Sequence, residues 1–132
     1  MNMKKIVLIL LIVSTLLACD DTLTVQDVDN KIIPDKNVSF SQHIYPVFQV
    51  KCISCHNATN PDGGLDLTTY SAATSDLTII FPRNPDNSKI IWAIEGNRPP
   101  IQPMPPIGYS RPFTANQIKG IRTWITEGAL DN

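Results

Sequence analysis

Cys52 and Cys55 are two residues apart, and His56 follows at once. This spacing is typical of covalent haem attachment, in which each thiol forms a thioether to one haem vinyl group. The next residue is then placed under the iron, where its imidazole is the proximal ligand. Cysteine and histidine are uncommon, so the Cys-Ile-Ser-Cys-His sequence predicts a c-type haem site.

Two other interpretations of the cysteine pair stay open at this point. A thioredoxin-type redox motif expects a βαβ context, and this Pro-rich chain shows little strand signal. Half of a structural zinc site would need further ligands, and the only other cysteine and histidine are Cys19 and His43. We therefore favour haem over both.

The N-terminus predicts export, which bacterial haem attachment requires. Lys4 and Lys5 precede an apolar run over residues 6–17, long enough for a signal peptide but short for a membrane span. The run closes with Leu16-Leu17-Ala18-Cys19, which resembles a bacterial lipobox, although Leu17 is bulkier than usual. We expect residues 1–18 to be removed and Cys19 to be lipidated. Ordinary cleavage and an uncleaved N-terminal anchor are the alternatives.

Charge and length limit the function classes. Removal of residues 1–18 deletes two lysines and no acid, leaving nine basic and twelve acidic residues, a net charge of −3. This balance gives no electrostatic footprint for nucleic acid. We expect a lipidated cysteine and polar tether over residues 19–37. The remaining chain, residues 38–132, is long enough for one small domain.

The sequence of this domain predicts three helices and one long loop. The spacing of Phe40, Ile44, Val47 and Phe48 predicts a helix that starts late or bends at Pro46. A second helix is expected from residue 89 to Gly96, and a third from Thr114, whose Thr-x-x-Gln sequence is a capping box. Eight of the eleven prolines lie between Pro82 and Pro112, so residues 97–113 are expected to form a stiff loop.

A second axial ligand is expected from that loop. Met104 is flanked by Pro103 and Pro105, which restrict the backbone, so its thioether could be held opposite His56. His43 is the rival ligand, but it lies on the helix that leads into the proximal side. Open coordination is the remaining alternative and would indicate gas sensing or peroxidatic chemistry.

Residues 38–132 resemble a bacterial mono-haem c-type cytochrome domain of the planctomycete and Bacteroidetes kind. The resemblance rests on the haem motif, Gly63-Gly64-Leu65-Asp66-Leu67, Pro103-Met104-Pro105-Pro106 and the segment from Ile121 to Ala129. It implies an all-α, cytochrome-c-like fold of three to four short helices around one covalent haem c. In that arrangement Cys52 and Cys55 hold the haem, and His56 and Met104 bind its iron. Arg83 and Arg98 are candidate partners of the haem propionates, although we favour a solvated surface charge for each of them.

The leading hypothesis is a membrane-anchored carrier of single electrons rather than an enzyme. Its partners would be redox proteins, namely a dehydrogenase, a quinol-oxidising complex or a terminal oxidase. The protein would face the periplasm or the cell surface. The alternatives are a haem sensor or peroxidase-like enzyme with an open distal site, and a haem-relay subunit of a larger extracellular oxidoreductase.

Overall fold

The computed structural model describes residues 22–132. This range contains five α-helices and no strand, with one isolated antiparallel bridge between His56 and Pro61. The helices are α1 (Val25–Asn30), α2 (Tyr45–Lys51), α3 (Tyr70–Ala73), α4 (Lys89–Glu95) and α5 (Ala115–Thr126). The all-α expectation is confirmed, with one helix more than the three to four expected.

Local sequence explains where the principal helices begin. Thr24 and Thr114 each cap a helix, and their capping boxes are completed by Asp27 and Gln117. A π-helical turn, Phe40–Ile44, precedes α2, and Pro46 then occupies the first turn of α2, where its missing N–H costs nothing. Of the two predicted alternatives, a late start and a bend at Pro46, the structure shows the late start.

The core is built around aromatic rings from both halves of the chain. Phe40 contacts Phe48 and Tyr70 edge to face, with ring centroids 6.3 and 5.3 Å away, and Trp124 at 5.4 Å. Trp124 is fully buried on α5. Isoleucines at helical spacing on α4 and α5 extend this core, so that α4 packs against α5 beside the haem motif.

Packing begins before residue 38, so the expected tether does not describe residues 25–37. Val28 of α1 and Ile33 are each only 2% exposed and belong to the core. Gly120 of α5 makes room for Ile33, because a Cβ atom there would lie 2.5 Å from the Ile33 Cγ2 atom. The segment is mostly polar, so its composition did not indicate that Val28 and Ile33 are buried.

The expected signal peptide and Cys19 lie outside the described residues. Among residues 22–132, no helix combines the length and the apolar character needed to cross a membrane.

Helix α4 ends at Gly96, and a long irregular segment follows. Gly96 adopts a left-handed conformation with φ +64°, which a glycine C-cap permits. Residues 97–113, which we call the distal loop, contain no helix or strand and lead back to the start of α5. The distal loop carries Met104 past the haem motif.

Candidate functional site

The Cys-x-x-Cys-His motif forms a tight turn at the end of α2. The Cys52 N–H donates to the Phe48 carbonyl at 2.9 Å, which continues the helical pattern. The Cys55 and His56 N–H groups both donate to the Cys52 carbonyl, at 3.1 and 2.9 Å. The turn brings both cysteines and His56 into the wall of one cavity.

The His56 ring is oriented by the backbone that follows it. Its Nδ1 atom lies 3.1 Å from the Asp62 carbonyl oxygen, which can only accept, so Nδ1 carries the proton. The remaining nitrogen, Nε2, then keeps its lone pair for a metal, the arrangement common in metal-binding histidines. Backbone bonds from Asp62 N–H to Cys55 and from Leu67 N–H to His56 hold the same segment in place.

The thiols of Cys52 and Cys55 are free, and the surroundings of Cys52 disfavour its thiolate form. Burial raises the pKa of the Cys52 thiol to about 12, despite the opposing charge of Lys51. Cys52 is therefore protonated at neutral pH, unlike the activated cysteine of a thioredoxin-type motif. Residues 22–132 also contain no cluster of three or more His, Cys, Asp or Glu side chains suited to a metal ion. Within these residues the zinc interpretation lacks ligands.

Two cavities meet at the motif and form one cleft. Their volumes are about 330 Å³ and about 220 Å³, and the larger one alone is of the size typical of cofactor sites. Three residues border both cavities: Cys52, His56 and Met104. The smaller cavity is predominantly apolar, with walls formed by Leu65, Leu67, Ile79, Ile90, Ala93, Ile94 and Ile101. The cleft is therefore mainly apolar and is bordered on both parts by a histidine and a methionine.

Met104 is fixed to α4 through its backbone. Its N–H donates to the Ala93 carbonyl at 2.8 Å, which anchors this point of the distal loop beside the cleft. The rival ligand, His43, borders neither cavity. The His43 Nδ1 atom instead accepts from the Ser39 N–H at 2.9 Å, and desolvation, followed by the charge of Lys31, lowers the pKa of His43.

Arg83 and Arg98, the candidate partners of the haem propionates, do not border the cleft. Arg98 stacks on Trp92, with its guanidinium carbon 4.4 Å from the ring centroid, and donates to the Asp86 carbonyl at 3.3 Å. Arg83 is exposed. The backbone N–H of Arg83 donates to the Ile125 carbonyl on α5. The side chain of Arg98 and the backbone of Arg83 therefore make their contacts elsewhere in the fold, away from the cleft.

Sequence reasoning missed several residues at or next to the site, and four of them have a clear role or position. Asn57 closes the motif turn, since its amide donates to the Ile53 and Ser54 carbonyls and its oxygen accepts from two following N–H groups. Val25 of α1, Lys51 of α2 and Ser110 of the distal loop line the larger cavity. Only Lys51 had a sequence signal, because it continues the apolar stripe of α2 seven residues after Ile44.

Ser110 offers an unused polar group to a ligand. Its hydroxyl oxygen is buried and has no hydrogen-bond partner, the only such side-chain atom in the part of the chain that the structure describes. A buried unpaired hydroxyl costs about 1–3 kcal/mol, so a polar group of a bound molecule is its expected partner. The groups at the cleft thus fit a haem. Two thiols, an imidazole nitrogen and a thioether sulfur are available for attachment and iron binding, the walls are apolar, and one hydroxyl is free to bond a polar group.

Comparison with known proteins agrees with this site. Residues 52–108 match the family model of planctomycete cytochrome C, and the matched segment contains Cys52, Cys55, His56 and Met104. No curated protein and no solved structure matches the chain. The family match agrees with the predicted resemblance: residues 52–108 are similar to a c-type cytochrome domain of the planctomycete type, and a domain of this kind indicates a haem-binding redox protein.

Proposed function

We propose that this cytochrome c domain makes the protein a membrane-anchored carrier of single electrons in an exported respiratory or redox chain. The observation that carries the proposal is the position of His56 and Met104, which border both halves of one apolar cleft. In this proposal Cys52 and Cys55 hold one haem c through thioethers, and His56 and Met104 are the axial ligands. If both residues bind the iron, no coordination position is left for a substrate, which suits electron transfer rather than substrate chemistry.

Haem iron, when bound, supplies reversible exchange of one electron between its ferrous and ferric states. The chain's own residues set the conditions for this exchange. The Asp62 carbonyl fixes the His56 tautomer, and the Ala93 carbonyl fixes the backbone of Met104. The isoleucines and leucines of the smaller cavity keep water from one face of the cleft. A methionine ligand and apolar burial both favour a high reduction potential.

The proposed location follows from the N-terminal sequence. Residues 1–18 have the features of a signal peptide, and Cys19 ends a lipobox-like sequence, which supports a lipid anchor outside the cytoplasm. The proposed partners are redox proteins of the same compartment: a dehydrogenase, a quinol-oxidising complex or a terminal oxidase. A domain of this size offers a small docking surface, which favours brief encounters.

Absorption spectra of the oxidised and reduced protein, matured in a host that attaches haem c, test this proposal. We expect haem that stays bound after denaturation, and in the oxidised protein the weak long-wavelength band of iron–methionine ligation. The Cys52→Ser/Cys55→Ser variant is the control and should lose the covalent haem. Covalent haem without the methionine band, together with rapid carbon monoxide binding, would instead favour a sensor or peroxidase-like enzyme. Absence of covalent haem from the unmodified chain would contradict the proposal.

A further inference from the structure

Lys51 is a fully buried lysine at the edge of the cleft. Its side chain is 0% exposed, and its Nζ atom lies 2.7 Å from Oδ1 of Asp29. Burying an ammonium group is costly unless it is paired and its protons are all bonded. Lys51 meets this condition, since it also donates to the carbonyls of Pro112 at 2.9 Å and Arg111 at 3.3 Å. The side chain therefore has a defined direction as well as a partner.

The partners of Lys51 come from three separate parts of the chain. Asp29 belongs to α1, Lys51 ends α2, and Arg111 and Pro112 lie near the end of the distal loop. The Phe113 ring lies beside the same ammonium, with its centroid 5.4 Å from Nζ. Lys51 is thus the point at which α1 and the distal loop are both attached to the helix that leads into the haem motif.

Asp29 is itself held in position from α5. Gln117 is fully buried, and its side-chain amide donates to Oδ1 of Asp29 and to the Val28 carbonyl, both at 3.1 Å. Asp29 is 12% exposed, so its carboxylate has little freedom to follow a moving lysine. The ion pair therefore fixes Lys51 with respect to the core.

The distal loop has a second attachment point, at Met104. The Met104 N–H is bound to the Ala93 carbonyl on α4, and the stretch up to Arg111 lines the larger cavity through Pro105, Pro106, Tyr109 and Ser110. Lys51 closes this stretch at its far end. Release of the Lys51 contacts would leave the end of this stretch held to α1 only by the exposed Arg111 side chain, which donates to Gln26 at 2.8 Å and lies 4.0 Å from Asp29.

We propose that Lys51, oriented by Asp29, is a positioning residue that holds the distal loop so that the Met104 thioether stays in the cleft. This inference rests on the proposed function, in which Met104 binds the haem iron. Lys51 acts on the ligand through the loop, by binding the Arg111 and Pro112 carbonyls. An apolar side chain of equal length would fill the same volume but could not bind the two loop carbonyls.

The Lys51→Met variant tests this inference in the haem-loaded protein. We expect a weaker iron–methionine band and carbon monoxide binding that is about tenfold faster, the factor equivalent to one lost charge-assisted hydrogen bond. Amide hydrogen exchange of residues 107–113 should also become faster. Lys119→Met is the matched control: Lys119 pairs with Asp35 at the same 2.7 Å, but the two side chains are 62% and 75% exposed. This control should leave all three readouts unchanged.

Two further results complete the test. If Lys51→Met does not fold, Asp29→Asn, which keeps the lysine and removes the charge that Lys51 and, at 4.0 Å, Arg111 face, should show the same changes to a smaller extent. A lowered stability with the methionine band, ligand binding and loop exchange unchanged would reduce Lys51 to a structural role and overturn the inference. Failure of the proposed ligation is distinguishable, because the methionine band would then be absent from the unmodified protein as well.

Discussion

The two sides of the cleft are held together in different ways. The proximal segment, residues 52–68, is closed by hydrogen bonds between near neighbours, including those of His56 and Asn57. In the distal loop, two backbone hydrogen bonds join residues of the loop to each other, and the main attachments come from Ala93 and Lys51. The proposed proximal ligand, His56, is therefore positioned by local sequence, and the proposed distal ligand, Met104, by contacts with remote parts of the fold.

The first test of this comparison replaces the proposed distal ligand, Met104, by a side chain of similar volume that cannot bind iron. Met104→Leu should abolish the iron–methionine band and lower the reduction potential by a sizeable part of the roughly 0.8 V range that axial ligands span. The covalent haem should remain, and the free energy of unfolding should fall by more than the roughly 1.5 kcal/mol that bounds a substitution of similar volume, since the iron–sulfur bond is lost as well. Redox titration and chemical denaturation measure the two effects. An unchanged potential would show that Met104 is not the ligand.

A second test compares two left-handed glycines, one on each side. Gly63→Ala and Gly96→Ala should each cost about 1–2 kcal/mol, because φ is +65° and +64° at these positions. A Cβ atom at residue 63 meets open space, but at residue 96 it would lie 3.3 Å from Pro103, next to Met104. We expect the larger loss for Gly96→Ala, with a weakened methionine band in that variant alone. Equal losses of stability and unchanged spectra would argue that a side chain at residue 96 does not affect Met104 through Pro103.

The smallest effect is expected from the ion pair at the end of α4, which precedes the distal loop. The hydrogen bond from Arg122, 2.7 Å from Glu95, is the main cause that lowers the pKa of Glu95 below its ordinary value of 4.5. The folded protein thus gains stability above about pH 4.5 and loses it as the pH falls through the lowered pKa. This partly exposed pair contributes about 1 kcal/mol or less.

Arg122→Gln should therefore flatten the acidic side of the stability profile. Chemical denaturation between pH 3 and pH 7 (roughly the range over which carboxylates titrate) would show the two proteins converging at low pH. Asp86 also bonds Arg122 but is 79% exposed, so its share is small. A constant difference between the two proteins across the whole range would contradict this account.

The same contrast between local and remote contacts explains which features of the structure could be predicted from the sequence. The haem motif, the late start of α2, the Gly96 cap and the capping box of Thr114 each depend on residues within a few positions of each other, and all were predicted. Placement of α1 in the core depends on Ile33 fitting against Gly120, 87 residues later, and no local pattern indicates that contact. The buried role of Lys51 needs Asp29 and two loop carbonyls, which only the folded chain brings together.

The early onset of packing has a consequence for how the protein meets its partners. Val25 already lines the cleft, and it lies six residues after Cys19. Six extended residues reach at most about 20 Å, whereas a free segment through residue 37 would reach about three times as far. With the proposed lipid on Cys19, the cofactor would be confined to a thin layer above the bilayer. Encounters would become two-dimensional, which raises the effective concentration of membrane-bound partners and excludes those whose redox centres stand far from the surface.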